Sequence, residues 1–151
     1  MKKKFAGYIN LRPLNGVIYP SSIQNILMKD FIENNLNGIF YLSPTEVLQA
    51  KFSITLKTLI SNETKVSGIV MLSTFLLPQN YKERTSMYKK LLGSKKKMFF
   101  ILDELALENN KDIEKIEDFI IFSSKHFVNT KTSLNTYENS IMKKYKNISF
   151  V

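Results

Sequence analysis

Cysteine is absent from this chain of 151 residues, and histidine occurs once, as His126. The lack of cysteine excludes a disulfide framework, a thiolate zinc site and a cysteine nucleophile. A single histidine leaves few nitrogen ligands for a transition metal. We therefore expect no metal and no bound cofactor, and a chain without disulfides fits the reducing cytoplasm.

Long apolar runs are also missing. No stretch approaches the roughly 20 apolar residues of a membrane-spanning helix. Asn10, Arg12 and Pro13 interrupt the apolar residues that follow the basic start, which argues against a signal peptide. We expect a cytoplasmic protein with no membrane span. Only 5 glycines and 4 prolines accompany 44% hydrophobic residues, a composition typical of a single globular domain.

Arginine is scarce in a chain with a strong excess of positive charge. The 22 basic residues outnumber the 13 acidic ones and give a net charge of +9, yet only Arg12 and Arg84 are arginine. An arginine retained among so many lysines indicates a site that needs a planar, multidentate cation. The segment 82–97 carries seven cations and one acid, which is typical of a solvated helix face or of a surface that follows a phosphate backbone.

Hydrophobic patterning predicts alternating strands and helices. The predicted strands are 5–9, 39–42, 66–72 and 98–102, and the predicted helices are 21–35, 52–61, 80–93 and 111–126. Ser21 and Gln24 form a capping-box pattern, Asn80 is a predicted N-cap, and Gly93 is the predicted stop of the third helix.

This alternation predicts an α/β fold with right-handed crossovers. We expect a single three-layer domain, 1–126, with a mainly parallel sheet of four or five strands, followed by a polar C-terminal tail, 127–151. In such sheets, ligands bind beyond the carboxyl ends of the strands, so the residues directly after each strand are the candidate site.

Polar side chains follow each predicted strand. Both arginines fall near the same edge of the sheet, where Arg12 and Arg84 would hold a phosphate or carboxylate. With equal weight, they would instead form structural ion pairs with Glu46, Asp103 or Glu104. The remaining candidates at this edge are Asn10, Ser43 and Thr74 for substrate hydroxyls, and Glu46 and Glu104 for proton transfer.

Other catalytic signatures are weak. Asp103 and Glu104 are adjacent at a strand end and should point in opposite directions, which disfavours a carboxylate pair. His126 lies at the predicted end of a helix, where a surface histidine is favoured over a catalytic one. No serine lies in a nucleophile elbow and no glycine-rich loop is present, which disfavours classical hydrolase and nucleotide-binding chemistry.

A set of short motifs resembles the bacterial sporadic carbohydrate cluster proteins over residues 4–122. The motifs are Phe5-Ala-Gly-Tyr-Ile-Asn-Leu-Arg-Pro, Gly16, Pro20, Gln24-Asn25, Asp30, Leu42-Ser43 with Glu46, Gly68-Ile-Val-Met, Leu77-Pro78, Arg84, Glu104 and Asp112-Ile-Glu-Lys-Ile-Glu-Asp. Genes of that family lie among those for surface-polysaccharide and lipopolysaccharide sugars. The resemblance implies a part in making or modifying a glycan, with an anionic sugar or sugar nucleotide as the small-molecule partner.

The order of elements is similar to that of serine recombinase catalytic domains, the resolvases and invertases. Their tyrosine, arginine and nucleophilic serine would fall on Tyr8, Asn10 and Arg12. The aspartate and two arginines of their later loop would fall on Phe75, Leu76 and Gln79. The resemblance implies a resolvase-like fold without strand transfer, because no matched residue is a nucleophile or stabilises the transition state.

Three functional hypotheses follow. The first is a carbohydrate-pathway protein that binds, and perhaps converts, an anionic or nucleotide-linked sugar. The second is a resolvase-like nucleic-acid-binding module that lacks recombinase catalysis, which we rank below the first. The third is a non-catalytic scaffold for a sugar-pathway enzyme. A homodimer is compatible with each hypothesis.

Overall fold

The computed structural model describes residues 1–46 and 53–124. In chain order they form β1 (Lys4–Gly7), α1 (Ser21–Asn34), β2 (Ile39–Leu42), α2 (Ile54–Ile60), β3 (Gly68–Met71), a short 3-10 turn (Thr74–Leu76), α3 (Tyr81–Gly93), β4 (Lys97–Phe100), β5 (Leu105–Leu107) and α4 (110–124).

The five strands form one sheet in the order β2-β1-β3-β4-β5. The first four are parallel and β5 runs antiparallel to β4. The connection from β1 to β2 crosses the sheet in one direction, and the connections from β2 to β3 and from β3 to β4 cross it in the other. Because such connections are right-handed, α1 lies on one face of the sheet and α2 and α3 lie on the other. The predicted α/β class with a mainly parallel sheet is confirmed.

The central strand β3 is buried on both faces, as its unbroken apolar sequence predicts. Its first residue, Gly68, lies against β4: a Cβ there would be 2.6 Å from the carbonyl oxygen of Lys97. Glycine therefore permits the close approach of these two backbones. On the α1 face, Phe99 of β4 packs against Phe5 and Phe31, with ring centroids 6.0 and 5.9 Å apart.

One of the three predicted helix ends differs from the structure. Helix α1 has Pro20 at its N-cap with no side-chain cap, because Gln24 is buried and bonds to the preceding loop instead. Helix α3 has the predicted N-cap, Asn80, whose side chain accepts a hydrogen bond from Glu83 N. Gly93 is the last residue of that helix, as predicted, and Lys95 adopts a left-handed conformation two residues later.

The polar segment after β4 contains a strand that the sequence pattern did not predict. Because β5 has only three residues, it is too short for a clear alternation of apolar and polar side chains. The chain divides into two units, Met1–Glu117 and Asp118–Val151. The predicted domain end at residue 126, the predicted tail 127–151 and His126 lie outside the described residues.

Lys95 offers a test of how α3 ends. Its φ is +56°, a left-handed conformation that costs a side-chain-bearing residue more than glycine. Since its backbone N–H donates to Leu92 O at 2.9 Å, the turn is fixed by the helix end. Lys95→Gly is expected to raise the free energy of unfolding by about 0.5 to 1 kcal/mol in urea titration.

The matched control is Lys89→Gly, which removes an exposed lysine within the same helix. Glycine inside a helix is expected to lower the free energy of unfolding by about 1 kcal/mol. Equal losses for both variants would contradict the proposed strain at Lys95.

Candidate functional site

The carboxyl ends of β1 and β2 hold a buried hydrogen-bonded cluster. Tyr8 Oη donates to Glu46 Oε2 at 3.0 Å, and Asn10 Nδ2 donates to Tyr8 Oη at 3.2 Å. All three residues are buried. Burial raises the pKa of Tyr8 above its ordinary value, and the Glu46 carboxylate adds to the effect against an opposing hydrogen bond from Asn10. Tyr8 is therefore a neutral donor at physiological pH.

Glu46 also meets the first turn of α2. Its carboxylate oxygens accept hydrogen bonds from the backbone N–H groups of Thr55 and Leu56, at 3.1 and 3.2 Å. A carboxylate at this position pairs with donors that the helix itself cannot satisfy. The predicted proton-transfer group is thus held by the protein on two sides, by a helix start and by Tyr8.

Gln24 is a member of this cluster that the sequence analysis missed. It is 1% exposed; its Nε2 donates to Asn10 O at 2.9 Å and to Tyr19 O at 2.8 Å. The amide joins the loop after β1 to helix α1. A buried glutamine on an otherwise apolar helix face, one turn before Met28, is the signal that indicates this role.

Ser43 ties the end of β2 to β1. Its Oγ donates to the carbonyl oxygen of Gly7, and the residue is buried. The hydroxyl of Ser43 therefore donates to the backbone of β1. The sequence prediction assigned this hydroxyl to a substrate.

A second cluster joins the carboxyl ends of β3 and β4. Ser73 Oγ lies 3.0 Å from both carboxylate oxygens of Asp103, and Thr74 N donates to Asp103 Oδ2 at 2.6 Å. Thr74 Oγ1 is buried with no hydrogen-bond partner among the described residues. Glu104 is exposed in the β4–β5 turn with a φ of +53°. The cluster therefore contains Thr74 of the predicted residues and lacks Glu104.

Arg12 reaches across to the loop after β3. Its Nη1 donates to Phe75 O at 3.0 Å and to Leu77 O at 2.8 Å, while its backbone N–H donates to Asn10 Oδ1 at 2.9 Å. The side chain is half-buried. Arg12 thus links the first cluster to the loop that carries the second.

Arg84 holds the next two carbonyls of the same loop. Its Nη1 donates to Pro78 O at 3.0 Å and Gln79 O at 2.7 Å. Its Nε and Nη2 form a bidentate pair with Glu117, at 2.8 and 2.7 Å, and Tyr88 Oη donates to the same carboxylate at 2.8 Å. Arg84 is 7% exposed, so this is a buried ion pair.

The pKa shifts follow from this pairing. Hydrogen bonding to Glu117 raises the pKa of Arg84. Burial alone would raise the pKa of Glu117, but the hydrogen bonds from Arg84 and Tyr88 outweigh it and lower the pKa. Burial, then the contact with Glu117, raises the pKa of Tyr88 above its ordinary value. Near neutral pH, Arg84 and Glu117 are therefore charged and Tyr88 is neutral.

The structure brings both arginines to one loop, residues 75–79. The partner of Arg84 is Glu117, a residue absent from the three ion-pair partners that the sequence suggested. Four of the five N–H donors of Arg84 point to protein acceptors. The guanidinium groups fix the loop that follows β3.

A cleft of about 420 Å³ lies elsewhere, between α2 and α3. An ion pair between Lys57 and Glu83, at 3.1 Å, borders it. The other lining residues are Ile60, Ser61, Asn62, Ser86, Met87, Lys90 and Ser94. The cleft shares no lining residue with the two clusters at the strand ends.

With the fold and the clusters established, comparison with solved structures shows a recombinase-type fold. A resolvase family site-specific recombinase from Streptococcus pneumoniae is 12% identical, with a TM-score of 0.55 over 92% of this chain and 99% of that one. The N-terminal catalytic domain of TP901-1 integrase is 9% identical, with a TM-score of 0.53 over 92% of this chain and 98% of that one. At this level of identity, the likeness shows the fold alone.

No protein-family model matches the chain, and no curated protein matches it. The predicted resolvase-like fold is confirmed, whereas the carbohydrate resemblance, its sugar ligand and the homodimer stay predictions. Among residues 1–46 and 53–124, no group of three acidic or histidine side chains is placed to hold a metal ion. No helix in the same ranges is long and apolar enough to cross a membrane.

Proposed function

We propose that this chain binds the phosphate backbone of nucleic acid through lysines, independently of sequence, and does not carry out strand transfer. The observation that carries the proposal is that both arginines are engaged inside the protein: Arg12 with two loop carbonyls and Arg84 with Glu117. The exposed cations of the described residues are therefore lysines.

Lysine and arginine recognise nucleic acids differently. Arginine forms the bidentate contact with guanine that most often specifies sequence, whereas lysine ammonium groups act as point charges on phosphates. A net charge of +9 carried almost entirely by lysine favours binding to the backbone without base readout. The recombinase-type fold, found in a site-specific recombinase and an integrase, supports this function over the carbohydrate hypothesis.

The absence of strand transfer rests on the residue that replaces the nucleophile. In the alignment of motifs, Arg12 stands where the recombinases have serine, and a guanidinium cannot attack phosphorus. Its Nη1 also donates to two carbonyls of the loop after β3. The loop positions Phe75 and Leu76 are aromatic and apolar, so they supply no charge to a phosphoryl transition state.

Salt-titrated binding tests this function. We expect fluorescence anisotropy with a random 25-base-pair DNA duplex to show affinity falling linearly on a log-log plot, with a slope of about −3.6 or steeper if four phosphates are neutralised. Duplexes of different sequence should bind within about threefold of each other, since specificity requires base contacts.

The control is a denaturing gel of the same mixtures, in which we expect no covalent complex between protein and DNA. Negligible binding at 50 mM salt would remove the nucleic-acid function. A strong preference for one sequence, or a covalent complex, would contradict lysine-only backbone binding without catalysis.

A further inference from the structure

Charge is divided between the two edges of the parallel sheet. For each of the four parallel strands, the leading segment is the first residue of the strand together with the three residues before it. The trailing segment is the four residues that follow the last residue of the strand. The leading segments contain seven lysines and no acid: Lys2, Lys3, Lys4, Lys65, Lys95, Lys96 and Lys97. The trailing segments contain three acids and no cation: Glu46, Asp103 and Glu104.

Backbone pairing places these lysines along one line. Ile39 N donates to Lys3 O at 2.8 Å, Ser67 N to Lys4 O at 2.7 Å, and Lys97 N to Ser67 O at 3.2 Å. Because neighbouring strands lie about 4.8 Å apart, Lys4 and Lys97 are separated by roughly 10 Å across β3. That distance corresponds to about three base pairs along a duplex, at 3.4 Å each.

Most of these ammonium groups are available to a ligand. Lys2, Lys3, Lys4, Lys65 and Lys95 are exposed, and no carboxylate of the described residues forms an ion pair with any of them. This set is termed the amino-edge lysines. Lys97 is excluded because it pairs with Glu108, and Lys96 because it is buried.

Helix α3 extends the surface toward the same edge. It runs back from the carboxyl edge to the start of β4 and ends at Gly93, two residues before Lys95. Lys89 and Lys90, on its last turns, are exposed. The positive surface thus continues from the strand starts onto the end of this helix.

We propose that the amino-edge lysines are the surface that binds duplex phosphates, on the edge opposite the predicted ligand crevice. The inference rests on the proposed nucleic-acid function and adds the location of the contact. The trailing segments at the carboxyl edge oppose a polyanion, because their charged residues are Glu46, Asp103 and Glu104, and the arginines near them, Arg12 and Arg84, bind groups of the protein. A duplex approaching the amino edge meets lysines without intervening acids in the leading segments.

A charge-matched pair of triple variants tests the location. The amino-edge variant is Lys4→Gln, Lys65→Gln and Lys95→Gln. The control variant is Lys29→Gln, Lys82→Gln and Lys115→Gln, three exposed lysines on α1, α3 and α4. Both changes lower the net charge from +9 to +6, that is 9 − 3. Binding to the same 25-base-pair duplex is measured between 50 and 300 mM salt.

The amino-edge variant is expected to lose about 2.7 units of the log-log salt slope, about 0.9 for each phosphate contact. Near 0.1 M salt this loss corresponds to binding about 100-fold weaker or more. The control variant should stay within about threefold of the unmodified chain. Thermal melting of each variant confirms that it is folded before binding is compared.

Different failures have different meanings. Absence of duplex binding by the unmodified chain would remove the proposed function. Duplex binding that both triple variants weaken equally, or that only the control variant weakens, would overturn the amino-edge assignment and leave the function standing.

If the amino-edge variant does not fold, lysine acetylation of the unmodified chain with and without duplex decides the question. Protection of Lys4, Lys65 and Lys95 is expected, and protection confined to other lysines would overturn the assignment.

Discussion

Glu117→Gln is expected to lower the free energy of unfolding by about 3 to 5 kcal/mol, because it leaves the guanidinium of Arg84 buried without a counter-charge. Both side chains are 9% exposed, so water cannot replace the lost carboxylate. The variant also weakens the acceptor of the Tyr88 hydroxyl. For a domain of this size the loss corresponds to a melting temperature lower by roughly 10 °C, measured by urea and thermal unfolding.

The matched control is Glu33→Gln, which removes the acid of an exposed pair with Lys29 at 4.0 Å. Exposed pairs of this kind contribute about 0.5 kcal/mol or less. A loss below about 1 kcal/mol for Glu117→Gln would contradict a buried ion pair that fixes α3 to α4 at residue 117.

The same pair gives the fold a pH dependence of known sign. The pKa of Glu117 is lowered in the folded chain, so its contribution is complete above the ordinary glutamate pKa of about 4.3 and is lost as pH falls through the folded value. The stability difference between the unmodified chain and Glu117→Gln should therefore be constant near pH 7 and shrink below about pH 4.

Lys96→Met is expected to cost about 2 to 4 kcal/mol. Lys96 is 5% exposed, and its ammonium donates to Leu59 O at 2.8 Å, Ser61 O at 2.5 Å and Thr64 O at 2.9 Å. These carbonyls lie at the end of helix α2 and in the loop that follows it. Methionine keeps an apolar chain of similar length but leaves three carbonyls without their charged donor. Burial lowers the pKa of Lys96, so the group is held against a desolvation cost by these bonds.

Lys89→Met controls for the loss of one positive charge and the gain of one methionine. Lys89 is exposed on α3, so its replacement should change the free energy of unfolding by less than about 0.5 kcal/mol. Similar values for the two variants in urea titration would show that the Lys96 bonds contribute little to stability.

The sheet could be predicted because its signals are local. Val66 to Leu72 is a run of apolar residues interrupted only by Ser67 and has the length of a strand, and the structure buries Gly68–Met71. Ile39–Leu42 forms the strand that its aromatic and β-branched content predicts. The short strand β5 was missed because three residues carry too little pattern to distinguish it from a loop.

The edge of the sheet was predictable, but the partners at that edge were not. The rule that polar residues gather beyond the strand ends placed Asn10, Glu46 and Thr74 at one edge. In the structure, Asn10 and Glu46 both bond to Tyr8, and Thr74 bonds to Asp103. The partner of Arg84 is 33 residues further along the chain on a different helix, and no local spacing identifies it. The spacing of Ser21 and Gln24 assigned Gln24 to a helix cap. Its actual burial against the loop after β1 depends on tertiary packing, which the spacing does not show.

At the carboxyl edge, most of the polar side chains described above form hydrogen bonds or ion pairs with other groups of the protein. Its donors and acceptors are largely used on one another: Glu46 on a helix start, Ser43 on a β1 carbonyl, and both arginines on the loop 75–79. The opposite edge presents the amino-edge lysines, which are exposed and form no ion pair with an acid of the described residues. On the proposed account, the chain has the fold of recombinase catalytic domains, and the surface that binds the duplex lies at the amino edge of the sheet, opposite the carboxyl edge.

Amide chemical-shift mapping tests this division of the sheet most directly. A ¹⁵N-labelled full chain would be titrated with the 25-base-pair duplex at low salt, and shifts would be compared between the two edges. The account predicts the largest shifts at Lys3, Lys4, Lys65 and Lys95, with Tyr8, Ser43 and Asp103 unchanged. Shifts concentrated at Tyr8, Ser43 and Asp103, with the lysine amides unmoved, would contradict it.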